Sequence, residues 1–128
     1  MAIKRVQIRH HRLVDSQLTP LGLSLVQWDA LRHLDRNPEA SLHDLAQLIF
    51  QSDQAFGTLS TRMVQRGLVE RTAGPGRAVR LVMTDKGREL LTQGSAVVDS
   101  VLSQSLAALS PDQIDQLGEL LERVTTAG

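Results

Sequence analysis

Hydrophobic positions recur along this chain mostly at intervals of three and four, the period of a helix that buries one stripe. Ile3, Val6, His10, Leu13 and Val14 share one stripe of a first helix over residues 2–17. A loop at Thr19-Pro20-Leu21-Gly22 follows, then a second helix with Leu25, Trp28, Leu31 and Leu34, stopped by Asn37-Pro38. Ser41 followed by Asp44 reads as a cap with an acid in the first turn. It opens a short third helix whose inward positions are Leu42, Leu45, Ala46 and Ile49. After a turn at Phe50-Gln51, Ser52 caps a fourth helix that buries Phe56, Leu59 and Met63, and Gly67 marks its end.

The period then changes. Leu68–Arg71 and Ala78–Val82 read as two strands, joined by a segment whose two glycines and proline make a tight turn, Gly74-Pro75-Gly76-Arg77. Thr84 caps a long fifth helix from Asp85 to about Leu109, with apolar residues on more than one face: Leu90, Leu91, Val97, Val98, Val101, Leu102 and Leu106. Ser110, Pro111 and Gln113 form a capping box with proline in the first turn. The sixth helix buries Ile114, Leu117, Leu120, Leu121 and Val124.

Helix, strand, turn, strand and helix in this order, with arginines throughout, is the layout of a winged helix-turn-helix. The predicted fold class is therefore mainly α with a small β-wing (α+β). Residues 1–128 form one domain, with the reading unit at about 24–83. Helices at about 1–18 and 84–125 carry surplus apolar faces that a twofold homodimer would bury.

Charge sharpens this reading. The chain has 14 basic and 14 acidic residues and is neutral as a whole. Locally, residues 1–18 have a surplus of three positive charges and 59–95 a surplus of four, whereas 19–58 are net minus three and 96–128 net minus four. Surface field follows local asymmetry, so a basic face is available on a neutral protein. The chain has no cysteine, which excludes disulfides, thiolate metal sites and thiol redox sensing. The first residues lack a signal-peptide core, and no stretch approaches ~20 apolar residues, so a cytoplasmic location is expected. Trp28, Phe50 and Phe56 are the only aromatic residues, too few to stack single-stranded bases.

The candidate DNA contacts follow from where bases and phosphates would lie. Gln54, Thr58, Thr61, Arg62 and Gln65 occupy the exposed face of the fourth helix. Ser52, Gln54, Ala55 and Thr58 fall in its first two turns, where Gln54 suits an adenine edge and Ala55 a thymine methyl. Ser41 sits at the preceding cap. Arg71 and Arg80 on the strands and Arg77 at the turn suit phosphate or minor-groove contact. Gly57 costs about 1 kcal/mol against alanine inside a helix; close approach either to DNA or to the second helix would account for it. No phosphate loop, nucleophile motif or carboxylate–histidine constellation is present, so the chain does not read as an enzyme. His10 and His11 point about 100° apart on a helix and His33 and His43 lie on different helices, so no metal or other cofactor is expected. The competing reading is a winged-helix module that binds protein and has lost specific DNA binding.

The run QRGLVERTAGPGRAVRLVMTDKGRELL resembles the wing signature of the multiple-antibiotic-resistance regulator (MarR) family. Leu18-Thr19-Pro20, Gln27-Trp28 with Leu31 and Leu34, and Ser41-Leu42 with Leu45-Ala46 fit the family's preceding elements in order. The resemblance spans essentially the whole chain. It implies a homodimer on a pseudo-palindromic double-stranded operator, a repressor released by a small ligand. It also implies an effector pocket between the dimer helices and the reading unit, with His10, Arg9, Arg12, Leu13 and Trp28 as candidate lining. Here the sequence departs from the family in two places. The wing lacks the aspartates that usually flank its arginine, and Thr58 stands where many relatives carry arginine.

Overall fold

In a computed structural model, residues 1–73, 76 and 78–127 are described; the predicted turn residues Gly74, Pro75 and Arg77 lie outside them. Six α-helices and one two-stranded sheet follow in the order α1 (Ala2–Leu18), α2 (Leu25–Arg36), α3 (Leu42–Leu48), α4 (Asp53–Gln65), β1 (Val69–Thr72), β2 (Arg80–Met83), α5 (Asp85–Ser105) and α6 (Pro111–Thr126). A short 3-10 turn over Thr19–Leu21 links α1 to α2. This is the winged helix-turn-helix expected from the sequence.

The helix starts are set by side-chain caps that satisfy otherwise orphaned amides. Ser24 with Gln27, Ser41 with Asp44 and Ser110 with Gln113 each form a reciprocal capping box. Ser52 accepts from the Ala55 amide at 3.1 Å, and Thr84 from the Gly87 amide at 3.0 Å. Helix α4 ends where Gly67 turns left-handed (φ 73°). The Leu68 amide then folds back onto the Met63 carbonyl at 2.9 Å. That bond takes the Leu68 amide away from β2, although the Leu68 carbonyl still accepts from the Thr84 amide at 3.1 Å, and β1 begins at Val69, one residue later than predicted. β1 and β2 pair antiparallel, with Val69 opposite Met83 and Thr72 opposite Arg80.

One core joins these elements, α6 excepted. Leu18, Leu31, Leu45, Phe56, Met63, Leu68 and Val69 are almost wholly buried in it. Helix α5 packs on α1 and α2, while α3 packs on α4. The first turn of α5 sits hard against the end of α4. A Cβ on Gly87 would fall 2.1 Å from the Leu68 carbonyl oxygen, so only glycine fits. Helix α5 stops at Ser105 rather than near Leu109. Residues 106–109 close into a turn, and Pro111 holds Ser110 extended (ψ 162°), as the residue before a proline must be.

The sixth helix departs from expectation. None of its residues is buried in this chain: Leu120 and Leu121 are each 49% exposed and Val124 69%. On α1, Ile3 and Val6 likewise face outward, and only Val14 and Leu18 reach the core. A compact monomer of 14.1 kDa exposes roughly 6,700 Å². This chain exposes 8765 Å². The excess has the size of an interface rather than of surface roughness.

Candidate nucleic-acid interface

Helix α4 turns Phe56, Ser60 and Met63 inward, which fixes the opposite face to solvent. That face is a shallow strip lined by Gln54, Gly57, Thr58, Thr61, Arg62 and Gln65. Ser60 was missed as an inward residue because it is polar. It is fully buried, and its hydroxyl is satisfied by donating to the Gly57 carbonyl at 3.0 Å. Thr61 donates to the same carbonyl at 3.0 Å, and Thr58 to the Gln54 carbonyl at 3.3 Å. Arg62 has no ion-pair partner among the described residues, so its charge is available to an anion.

The other candidates are placed around this strip. Ser41 and Ser52 are caps whose side-chain oxygens accept from the Asp44 and Ala55 amides. Ala55 is half-buried at the first turn of α4. Arg71 reaches from β1 to α4, donating to Thr61 Oγ1 at 2.8 Å and Ser60 Oγ at 3.3 Å. Arg80 on β2 pairs with Glu39, which lies between α2 and α3. In the free chain, then, one strand arginine braces the helix and the other is neutralised. Arg77 lies outside the described residues.

Two histidine environments differ for physical reasons. His43 Nδ1 lies 2.8 Å from Asp53 Oδ1, bridging α3 to the first turn of α4. The hydrogen bond to that carboxylate raises the His43 pKa above its ordinary value. Burial lowers that of His33, partly offset by Asp29 at 3.5 Å. Asp44 is held below the usual carboxylate range by the hydrogen bonds it accepts from Ser41.

A second concavity, of about 670 Å³, lies between α2 and α5. Trp28, Leu91, Val98 and Leu102 give it an apolar wall, and Arg32, Arg36 and Arg88 place cations around it. Trp28 Nε1 donates to Ser95 Oγ at 3.1 Å, and the Arg32 guanidinium lies 5.2 Å from the indole centroid. Arg32 is held in turn by Asp29 at 3.0 Å, and Arg88 pairs with Asp35 at 3.0 Å. Trp28 is therefore both core and cavity wall. The other candidates for an effector site are elsewhere. His10 Nε2 meets Ser105 Oγ at 2.7 Å, tying α1 to the end of α5, while Arg9, Arg12 and Leu13 are exposed on α1. The sequence missed Arg32, Arg36 and Arg88 because only the packing of α2 on α5 brings them together.

Known proteins share this arrangement. Residues 21–78 match the model of the MarR family. The HTH-type transcriptional repressor Rv2887 of Mycobacterium tuberculosis is 32% identical over 113 residues, covering 87% of this chain and 81% of the relative. This chain belongs to the MarR family. It is a winged-helix member of a family of transcriptional regulators. The crystal structure of Mycobacterium tuberculosis MarR family protein Rv2887 in complex with salicylic acid has a TM-score of 0.80 at 30% identity, covering 96% of this chain and 93% of the other. A mutant MarR from E. coli, complexed with operator DNA, shares the fold with a TM-score of 0.86 at 23% identity. That superposition covers 96% of this MarR-family chain and 90% of the E. coli chain. No helix among the described residues is long and apolar enough to cross a membrane.

Proposed function

We propose that this protein is a homodimeric repressor that reads a pseudo-palindromic operator in double-stranded DNA through α4 and is released by a small aromatic acid. The observation that carries the reading is the uncovered polar strip of α4, held rigidly by a buried apolar face behind it. Gln54, Ala55 and Thr58 contact base edges, while Ser41, Ser52, Arg62, Arg71, Arg77 and Arg80 hold phosphates or the minor groove. Thr61 orients Arg71. Binding DNA releases Arg80 from Glu39, since a phosphate offers a stronger partner than an exposed carboxylate.

The dimer uses α1, α5 and α6, at about residues 1–18 and 84–125. Their exposed Val6, Leu120, Leu121 and Val124 supply the apolar area that the excess surface requires. Twofold symmetry then presents two reading units, about 24–83 in each chain, to half-sites one helical turn or roughly 34–36 Å apart. The cavity between α2 and α5 takes the effector. An aromatic ring lies against Trp28 and its carboxylate meets Arg32, Arg36 or Arg88. Salicylic acid bound to the relative Rv2887 supports that ligand class. The protein works in the cytoplasm and catalyses no reaction.

Sequencing duplexes that the protein selects from a random pool tests the reading. A palindromic consensus with half-sites one turn apart is the expected result. No enrichment at low salt identifies the protein-binding module instead.

A further inference from the structure

Glycines inside the helices of this chain fall into two groups. Gly87 and Gly94 are demanded by packing: a Cβ on Gly94 would lie 2.9 Å from Trp28 Cδ1, and one on Gly87 would strike the Leu68 carbonyl. Gly57 is different. It is the fifth of the 13 residues of α4, with helical backbone and no positive φ. A Cβ built on it meets nothing within 4 Å, so the second helix does not require it. Glycine there weakens the helix relative to alanine and relieves no clash within the chain. The reason for it lies outside the chain.

Its surroundings say where. Gln54, Thr58, Thr61 and Arg62 stand around Gly57 on the exposed strip, so the helix has a notch whose floor is bare backbone. The notch is braced. The Gly57 carbonyl accepts from Ser60 and Thr61 hydroxyls at 3.0 Å each, and Arg71 of β1 donates to both hydroxyls. A helix with its side chains is about 10–12 Å across, and the major groove is about 12 Å wide. With so little clearance, the depth of one methyl group decides whether Gln54 and Thr58 reach the base edges.

We propose that Gly57 is the point of closest approach between α4 and the duplex: a base-pair edge in the major groove seats in the notch, and any side chain at 57 lifts the helix off it. This rests on the reading of α4 as the DNA-contacting helix. The test uses the full-length dimer and the duplex that the wild-type protein selects from a random pool. Gly57→Ala should raise Tm by about 2–5 °C, because alanine favours the helix. It should weaken binding to that duplex about tenfold, and Gly57→Val should weaken it further. Stability and affinity thus move in opposite directions. Undiminished affinity in Gly57→Ala overturns the proposal, and so does a lower Tm, which would give the glycine a folding role. A wild-type protein that selects no duplex overturns the reading of α4 itself, a result distinct from either.

Discussion

Helices α4 and α6 are both amphipathic, of 13 and 16 residues, and both begin with a serine cap. The chain treats them in opposite ways. α4 buries Phe56, Ser60 and Met63 at 1% exposure or less, while α6 buries no residue. A helix whose apolar side is filled from within has only its polar face left to offer. One whose apolar side is unfilled has yet to find what completes it. The difference fits the proposed division of labour: α4 is left with a polar face for reading, whereas α6, opened by its capping box and carrying an exposed Arg123–Glu119 pair, keeps an apolar side that the proposed dimer would cover.

Substitutions at the two helices should therefore fail differently. The largest loss is expected from Phe56→Ala, about 3–5 kcal/mol of unfolding free energy, measured by urea titration with wild type and variant at the same chain concentration. Leu120→Asp combined with Leu121→Asp should leave far-UV helicity of the reading unit in place but shift light-scattering mass from dimer to monomer. A double variant that stays dimeric would take α6 out of the interface. Next in size, Arg62→Ala should lower the slope of log affinity against log salt by about one unit per half-site. An unchanged slope would mean that Arg62 holds no phosphate.

The smallest effect is expected at His43. Its pKa is raised by Asp53, so its contribution to folding is full below the unfolded value of about 6.5. It is lost as pH rises through the higher folded value. His43→Gln should flatten that shallow decline in a Tm-versus-pH series. A profile identical to wild type would show that the bridge between α3 and α4 is not populated in solution.

Periodicity made the frame of the fold legible, because helices and strands are local and their caps are written in adjacent residues. Ser41, Ser52, Thr84 and Ser110 each cap the helix they were expected to cap. What the pattern missed depends on contacts between distant segments. Ser60 is a polar residue at a core position, recognisable only once the Gly57 carbonyl and Arg71 are beside it. Arg80 reads as a free charge until the fold brings Glu39 to it across 41 positions. His10 is set by Ser105, 95 positions away, and so leaves the set expected to surround Trp28. Ile114 through Val124 have the spacing of a buried stripe, and spacing alone is silent on which chain does the burying. For the reading strip, the polar face of α4 was visible because it is the complement of a helical stripe.

The indole at position 28 carries one more consequence. It is the chain's single tryptophan, it walls the cavity between α2 and α5, and its ring is touched by a guanidinium and tethered through Ser95. Its fluorescence is thus a built-in reporter. Any molecule that displaces Arg32 from the ring or breaks the Ser95 tether changes the emission of one known site, so occupancy can be titrated optically without attaching a dye.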